Sequence, residues 1–211
     1  METASFSRGS FASRGFASTL PRHVRQVRCG AGLIGLMALA LTSTGCGAAT
    51  PSSAFAWLRP QAPPARWPVA RIATGAAIPY PNGWRRFPGD TGSATAVLQD
   101  SRGHLLGYLN LTPRQGGETL GNWASFRVHH NTADGNRTVK ALDAAKGLRF
   151  RTGHGSCVRD AYTTSTGAHF IELACVVRGS EATSVIVGAA PTSAWPAMSS
   201  TIERAIVAFT T

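Results

Sequence analysis

The sequence predicts an α+β domain: an antiparallel β-sheet meander flanked by helices and crossed by one disulfide. Three observations lead there. Strand-like runs alternate with turn signals at short, even spacing through the C-terminal half. Two apolar stripes at helical spacing bracket those runs. Two cysteines fall opposite each other when the central hairpin is folded about its loop.

Taken in chain order, residues 95–100 and 104–111 flank Ser101-Arg102-Gly103 and read as a first hairpin. Residues 119–130 carry Leu120, Trp123 and Phe126 on one helical face, behind a turn at Gln115-Gly116-Gly117. Four strands follow, over 147–151, 156–164, 168–178 and 182–190. The last element is a helix over 192–209, with Trp195, Met198, Ile202, Ile206 and Phe209 on one stripe and Pro196 in its first turn. Both stripes read as core.

The hairpin between the second and third strands of this meander sets a register. Ser165-Thr166-Gly167 is a three-residue loop with Gly at the position that favours a left-handed backbone. Folded about Thr166, Cys157 and Cys175 stand equally far from the centre and therefore oppose each other, within reach of a disulfide. Two unpaired buried thiols are the alternative. Side chains alternate along strands, so one face collects Leu148, Phe150, Cys157, Ala161, Ile171, Leu173, Cys175 and Val177 as core. A second turn centred on Ser180 would add Val185 and Val187 to it. The other face collects Arg149, Arg151, Asp160, Tyr162, Phe170 and Glu172 and reads as polar with aromatic patches.

Upstream, residues 1–45 read as a signal peptide: five arginines, then an apolar run over 31–41, then a tract of small residues ending at Cys46. That run is too short to span a bilayer, which needs about 20 apolar residues. Residues 46–77 are rich in Ala, Pro and Ser and read as a tether, and 78–211 as a single globular domain. Trp57 and Trp67 in the tether suit either a headgroup layer or a loose docking onto the domain. Of four cysteines, Cys29 leaves with the leader and Cys46 ends the small-residue tract, so Cys157 and Cys175 remain as one pair in an oxidising compartment. The chain carries 21 Lys and Arg against 10 Asp and Glu. Without 1–45 it keeps 16 against 9, a net of +7. For an exported protein that balance suits anionic lipid headgroups or acidic wall polymers rather than nucleic acid.

Ser43-Thr44-Gly45-Cys46 resembles the lipobox of bacterial lipoproteins, with Ser43 where a Leu is usual. The resemblance implies a diacylglyceryl group on Cys46, meeting the need for more than one acyl chain in a stable anchor. Ordinary cleavage after Ala54-Phe55-Ala56 is the alternative, and it would leave a secreted protein. The order hairpin, helix, meander, helix, with Ile78-Pro-Tyr-Pro-Asn-Gly-Trp84 leading into the domain, resembles the PsbP-like fold and actinobacterial lipoproteins of the LpqN type. That resemblance implies a protein that binds small ligands or docks onto larger assemblies, and not an enzyme.

Several candidate sites follow. Asp160 and Glu172 stand opposite each other in the same register, with Arg149 and Arg151 on their face. They read as an Arg-bridged charge cluster, or as a ligand patch with Tyr162 and Phe170 stacking on an apolar part. A rival hydrolase would use His154, Ser156 and Asp160, without matching the G-x-S-x-G elbow. A purely structural spacer is a third reading. His129 and His130 are adjacent and point about 100° apart on a helix, so no metal site is expected. With no P-loop, Rossmann fingerprint or nucleic-acid motif, no cofactor and no nucleic acid are expected either. The sequence therefore predicts a lipid-anchored, extracytoplasmic binding or accessory protein of the cell envelope, partnered by the membrane and by a small ligand or envelope protein.

Overall fold

The computed structural model describes residues 53–211, so the leader, Cys29 and Cys46 lie outside the described residues. A short 3-10 turn, Ser53–Phe55, is followed by β1 (Val69–Arg71), β2 (Ala77–Pro79), β3 (Arg85–Phe87), β4 (Ala94–Gln99) and β5 (Leu105–Pro113). Then come α1 (Trp123–Ala133), β6 (Arg137–Phe150), β7 (Gly153–Thr163), β8 (His169–Arg178), β9 (Thr183–Pro191) and α2 (Trp195–Val207). Strands β3 to β9 form one seven-stranded sheet in the order β3-β4-β5-β9-β8-β7-β6, antiparallel at every step. The first hairpin thus lies beside the last strand, and β1 pairs with β2 apart from the sheet.

The central hairpin has the register read from its loop. Cys157 opposes Cys175, Asp160 opposes Glu172 and Tyr162 opposes Phe170, with Gly167 at φ 91°. The cysteines are disulfide-bonded, their Cα atoms 4.1 Å apart.

Two neighbouring registers differ from expectation. The β8–β9 turn is centred between Ser180 and Glu181 rather than on Ser180, so Cys175 faces Ile186 and Val176 faces Val185. A single-residue slip exchanges the faces of a strand. Ile186 and Ala190 therefore join the disulfide side, and Val185 and Val187 turn to the opposite side. The β6–β7 turn is tighter than expected, at Arg151-Thr152, so Arg149 opposes His154. Gly153 and Gly155, which the strands expected over 147–151 and 156–164 leave to a connecting turn, are strand residues of β7. A Cβ on Gly155 would stand 2.4 Å from the Val176 carbonyl oxygen, so only glycine lets β8 lie this close.

Both faces of the sheet are covered, which corrects the reading of one face as open and polar. On the disulfide side α2 lies over β5 and β9, and its Ile202 and Ile206 with the following Phe209 share one core with Leu148, Phe150, Leu173, Cys175 and Val177. Gly188 makes that contact close, since a Cβ there would meet Ile202 Cγ2 at 2.3 Å. On the other side α1 packs Trp123, with Ala124 and Phe126 beside it, onto Val158, Ala174, Val176, Val185 and Val187. The Trp123 indole N–H donates to the Ala174 carbonyl at 2.8 Å. Within the stretch read as a tether, Phe55, Leu58, Ala70 and Ile72 are buried on the α2 side, with Trp57 and Trp67 half-buried against them.

The long edge strand β6 had no clear sequence signal, because it is exposed along most of its length and shows no alternation. Three register shifts interrupt its pairing with β7, and Arg137, Lys140, Lys146 and Arg149 punctuate it. Bulges and cations of this kind discourage further strand pairing at an edge.

Candidate functional site

Asp160 and Glu172 meet as expected, but under α1 rather than in the open. Residues 123, 127 and 131 recur at i, i+4 and i+8, so the Trp123 face of α1 also points Arg127 and Asn131 at the sheet. Arg127 grips Glu172 with two hydrogen bonds, Nε to Oε1 at 2.5 Å and NH2 to Oε2 at 2.8 Å. Asn131 Nδ2 donates to Asp160 Oδ2 at 3.3 Å, and the Tyr108 hydroxyl of β5 donates to Glu172 Oε2 at 3.4 Å. Tyr162 and Phe170 stack, ring centroids 5.8 Å apart and planes 8° from parallel, beside Ala189 and Tyr108. Both carboxylates are 0% exposed. Of the six residues expected to form one ligand patch, the fold brings Asp160, Glu172, Tyr162 and Phe170 together and leaves Arg149 and Arg151 out.

Two facing carboxylates in such a site repel, and the second one keeps its proton more readily. Burial, then the neighbouring Glu172 charge, push Asp160 from an ordinary 3.8 to about 8. Arg127 and Asn131 pull the other way without prevailing. Burial likewise raises the phenols of Tyr108 and Tyr162, leaving both as donors.

The sign of the stability effect follows. Between about pH 4 and 8 the folded Asp160 holds a proton that the unfolded chain has lost, so stability falls as pH rises through that window. Thermal unfolding of the protein should show a melting temperature that declines from pH 5 to pH 8. Asp160→Asn should flatten that decline. An unchanged slope in the variant would show that Asp160 is not its source.

Arg149 sits elsewhere, six positions along β7 from Asp160, or about 20 Å at roughly 3.3 Å per residue. There it belongs to a different grouping. Arg149 opposes His154, His154 opposes Arg178, and Arg178 opposes Thr183. The Arg114 amide donates to the Thr183 carbonyl at 3.0 Å, continuing the β5–β9 register one residue past β5. Directly paired residues share a face. Arg149, His154, Arg178 and Arg114 thus form one row across the end of the sheet, on the α1 side, about 19 Å long at about 4.8 Å per strand. All four are exposed, and among the described residues none of the three arginines has a carboxylate within ion-pair distance. The nearby acidic residues are Glu181, in the β8–β9 turn, and Glu118, whose carboxylate accepts from the Gln115 and Gly116 amides just after Arg114. Lys146 flanks the row, its Nζ donating to the Gly121 carbonyl at 2.5 Å. Arg151 turns away, its guanidinium reaching the Ala208 carbonyl at 3.5 Å.

The trio His154, Ser156 and Asp160 share a face of β7 but are not wired together. The Ser156 hydroxyl donates to the Leu120 carbonyl at 2.6 Å, and Asp160 lies four strand positions, or about 13 Å, further on. Among the described residues no helix is long and apolar enough to cross a membrane.

Sequence reasoning missed Arg127, Asn131, Tyr108, Arg114 and Arg178. The spacing of 123, 127 and 131 was a usable signal for the first two. Arg178 opposes His154 in the same hairpin register that pairs the cysteines, whereas Tyr108 and Arg114 become neighbours of these residues only through the β5–β9 pairing, which no local pattern announces.

No protein-family model matches the chain, and no curated protein matches it. Among solved structures it is similar to Mycobacterium tuberculosis LpqN, described as involved in cell envelope biogenesis, at 11% identity and a TM-score of 0.46, covering 72% of this chain and 88% of that one. It is similar to the PsbP protein of the cyanobacterium Synechocystis at 15% identity and a TM-score of 0.46, covering 67% and 89%. A Pseudomonas aeruginosa protein of unknown function matches at 8% identity and a TM-score of 0.40, covering 69% and 96%. The chain is weakly similar to PsbP-like and LpqN-like folds, and at these scores the likeness reaches fold and no further.

Proposed function

We propose that this protein is a lipid-anchored binding or accessory protein of the bacterial cell envelope. Lipid on Cys46 would hold it at the extracytoplasmic face of the cytoplasmic membrane, where it would capture an anionic group on the end of its sheet. The row of Arg114, Arg149, His154 and Arg178 carries this reading, because it presents three exposed arginines, with His154 between two of them, and no carboxylate within ion-pair distance of any of the three. The expected ligand patch supports capture less well, since Asp160, Glu172, Tyr162 and Phe170 lie buried under α1, where Arg127 holds Glu172 and Asn131 reaches one oxygen of Asp160.

Two observations support the location. A buried cross-strand disulfide suits an oxidising compartment. Phe55 is 2% exposed in the core, so cleavage after Ala56 would strip out a packed aromatic, whereas processing at Cys46 would keep it.

Cys46→Ser should move the protein from the membrane to the soluble fraction, and retention in the membrane would refute lipid anchoring. Binding of the full chain to a phosphate-bearing resin should be lost in Arg149→Ala/Arg178→Ala. It should persist in Arg59→Ala/Arg71→Ala, which removes the same charge elsewhere on the exposed surface. Equal behaviour of the two variants would remove the row from the reading.

A further inference from the structure

We infer that the anion taken by the cationic row is an extended polymer with a negative charge in each repeat, laid across the strands in one line. This deepens the function proposed above and rests on it.

The shape of the site selects the ligand. Arg149, His154 and Arg178 stand on adjacent strands, about 4.8 Å apart, and Arg114 lies two strands further on. A single phosphate or carboxylate bridges two neighbours and leaves the far arginine unused. A chain of regularly spaced anions meets all three arginines at once, with His154 as a ring hydrogen-bonding group among them, each contact raising the effective concentration of the next. The row is also one residue deep. On its inner side the next cross-strand row, Ser156, Val176 and Val185, is covered by the segment leading into α1, through the Ser156 bond to Leu120 and the packing of Trp123. On its outer side come the β6–β7 and β8–β9 turns. A line of charge between two boundaries fits a strand-like ligand better than a plane.

Among the first described residues, Ala54, Phe55 and Trp57 pack on the opposite face of the sheet beside Leu173 and Trp195, so they leave the row uncovered for a polyanion. Such binding depends strongly on salt, because each neutralised repeat releases a counterion.

The test uses the full chain in phosphatidylcholine vesicles, with fluorescent inorganic polyphosphate of graded length as the probe. Affinity per phosphate is expected to rise with length until the polymer spans the row. Arg149→Ala/Arg178→Ala should weaken the long polymer by about tenfold or more, and Arg59→Ala/Arg71→Ala should not. Two results would overturn the inference and leave the broader function standing. One is orthophosphate competing as well as the polymer at equal total phosphate. The other is phosphatidylglycerol vesicles displacing the polymer at equal phosphate, which would make the row a membrane contact. Identical affinities for the two double variants would overturn the inference and the proposed function together.

Discussion

Arg127→Ala is expected to destabilise the domain by about 3–5 kcal/mol, the usual consequence of removing one partner from a buried ion pair. Glu172 is 0% exposed, and Arg127 supplies two of its hydrogen bonds at 2.5 and 2.8 Å. Without the guanidinium, two facing carboxyls remain in a site that water does not reach, with only Asn131 and Tyr108 to answer them. The cost is mainly that of the abandoned charge, so it should shrink when the charge goes too. Arg127→Met combined with Glu172→Met should therefore lose less than Arg127→Ala alone, measured by urea unfolding. A single-variant cost below about 1 kcal/mol would mean that α1 lifts or water enters to solvate Glu172, and the network would then not be what holds the helix down.

The contrast between what was and was not legible turns on the range of each contact. The Cys157–Cys175 pairing was readable because both partners lie within one hairpin whose loop, Ser165-Thr166-Gly167, fixes its own register. The α2 stripe was readable because Trp195, Ile202 and Ile206 must all face one core. The same local reasoning failed at the next turns by a small step with large consequences. Reading Gly153 and Gly155 as turn glycines displaced Arg149 toward Asp160, although Gly155 serves close strand approach, and a one-residue slip sent Val185 and Val187 to the wrong side. The polar face read as open because nothing in the strands shows which helix will cover it. Its cover depends on Arg127 and Asn131 lying on the Trp123 side of α1, a tertiary fact with only a faint sequence trace. Arg114 required the longest step, since β5 and β9 are distant in sequence and adjacent in the sheet.

Loss of the disulfide, through Cys157→Ala/Cys175→Ala, is expected to cost about 3 kcal/mol. The bridge spans a sequence separation of 18, and closing a loop of that size restrains the unfolded chain by about that amount. For a body of this size the shift corresponds to a melting temperature lower by about 6–12 °C. Reduction of the unaltered protein should produce a similar shift, reversed on reoxidation. The two treatments separate two sources of stability. Cys→Ala also removes sulfur atoms from the packed layer between β7, β8 and α2, whereas reduction keeps them, so any excess loss in the variant measures packing rather than chain restraint. An unchanged melting temperature on reduction would mean that the β7–β8 pairing, already closed by its short loop, leaves the bridge nothing to restrain. It would also weaken the inference that this domain relies on an oxidising compartment.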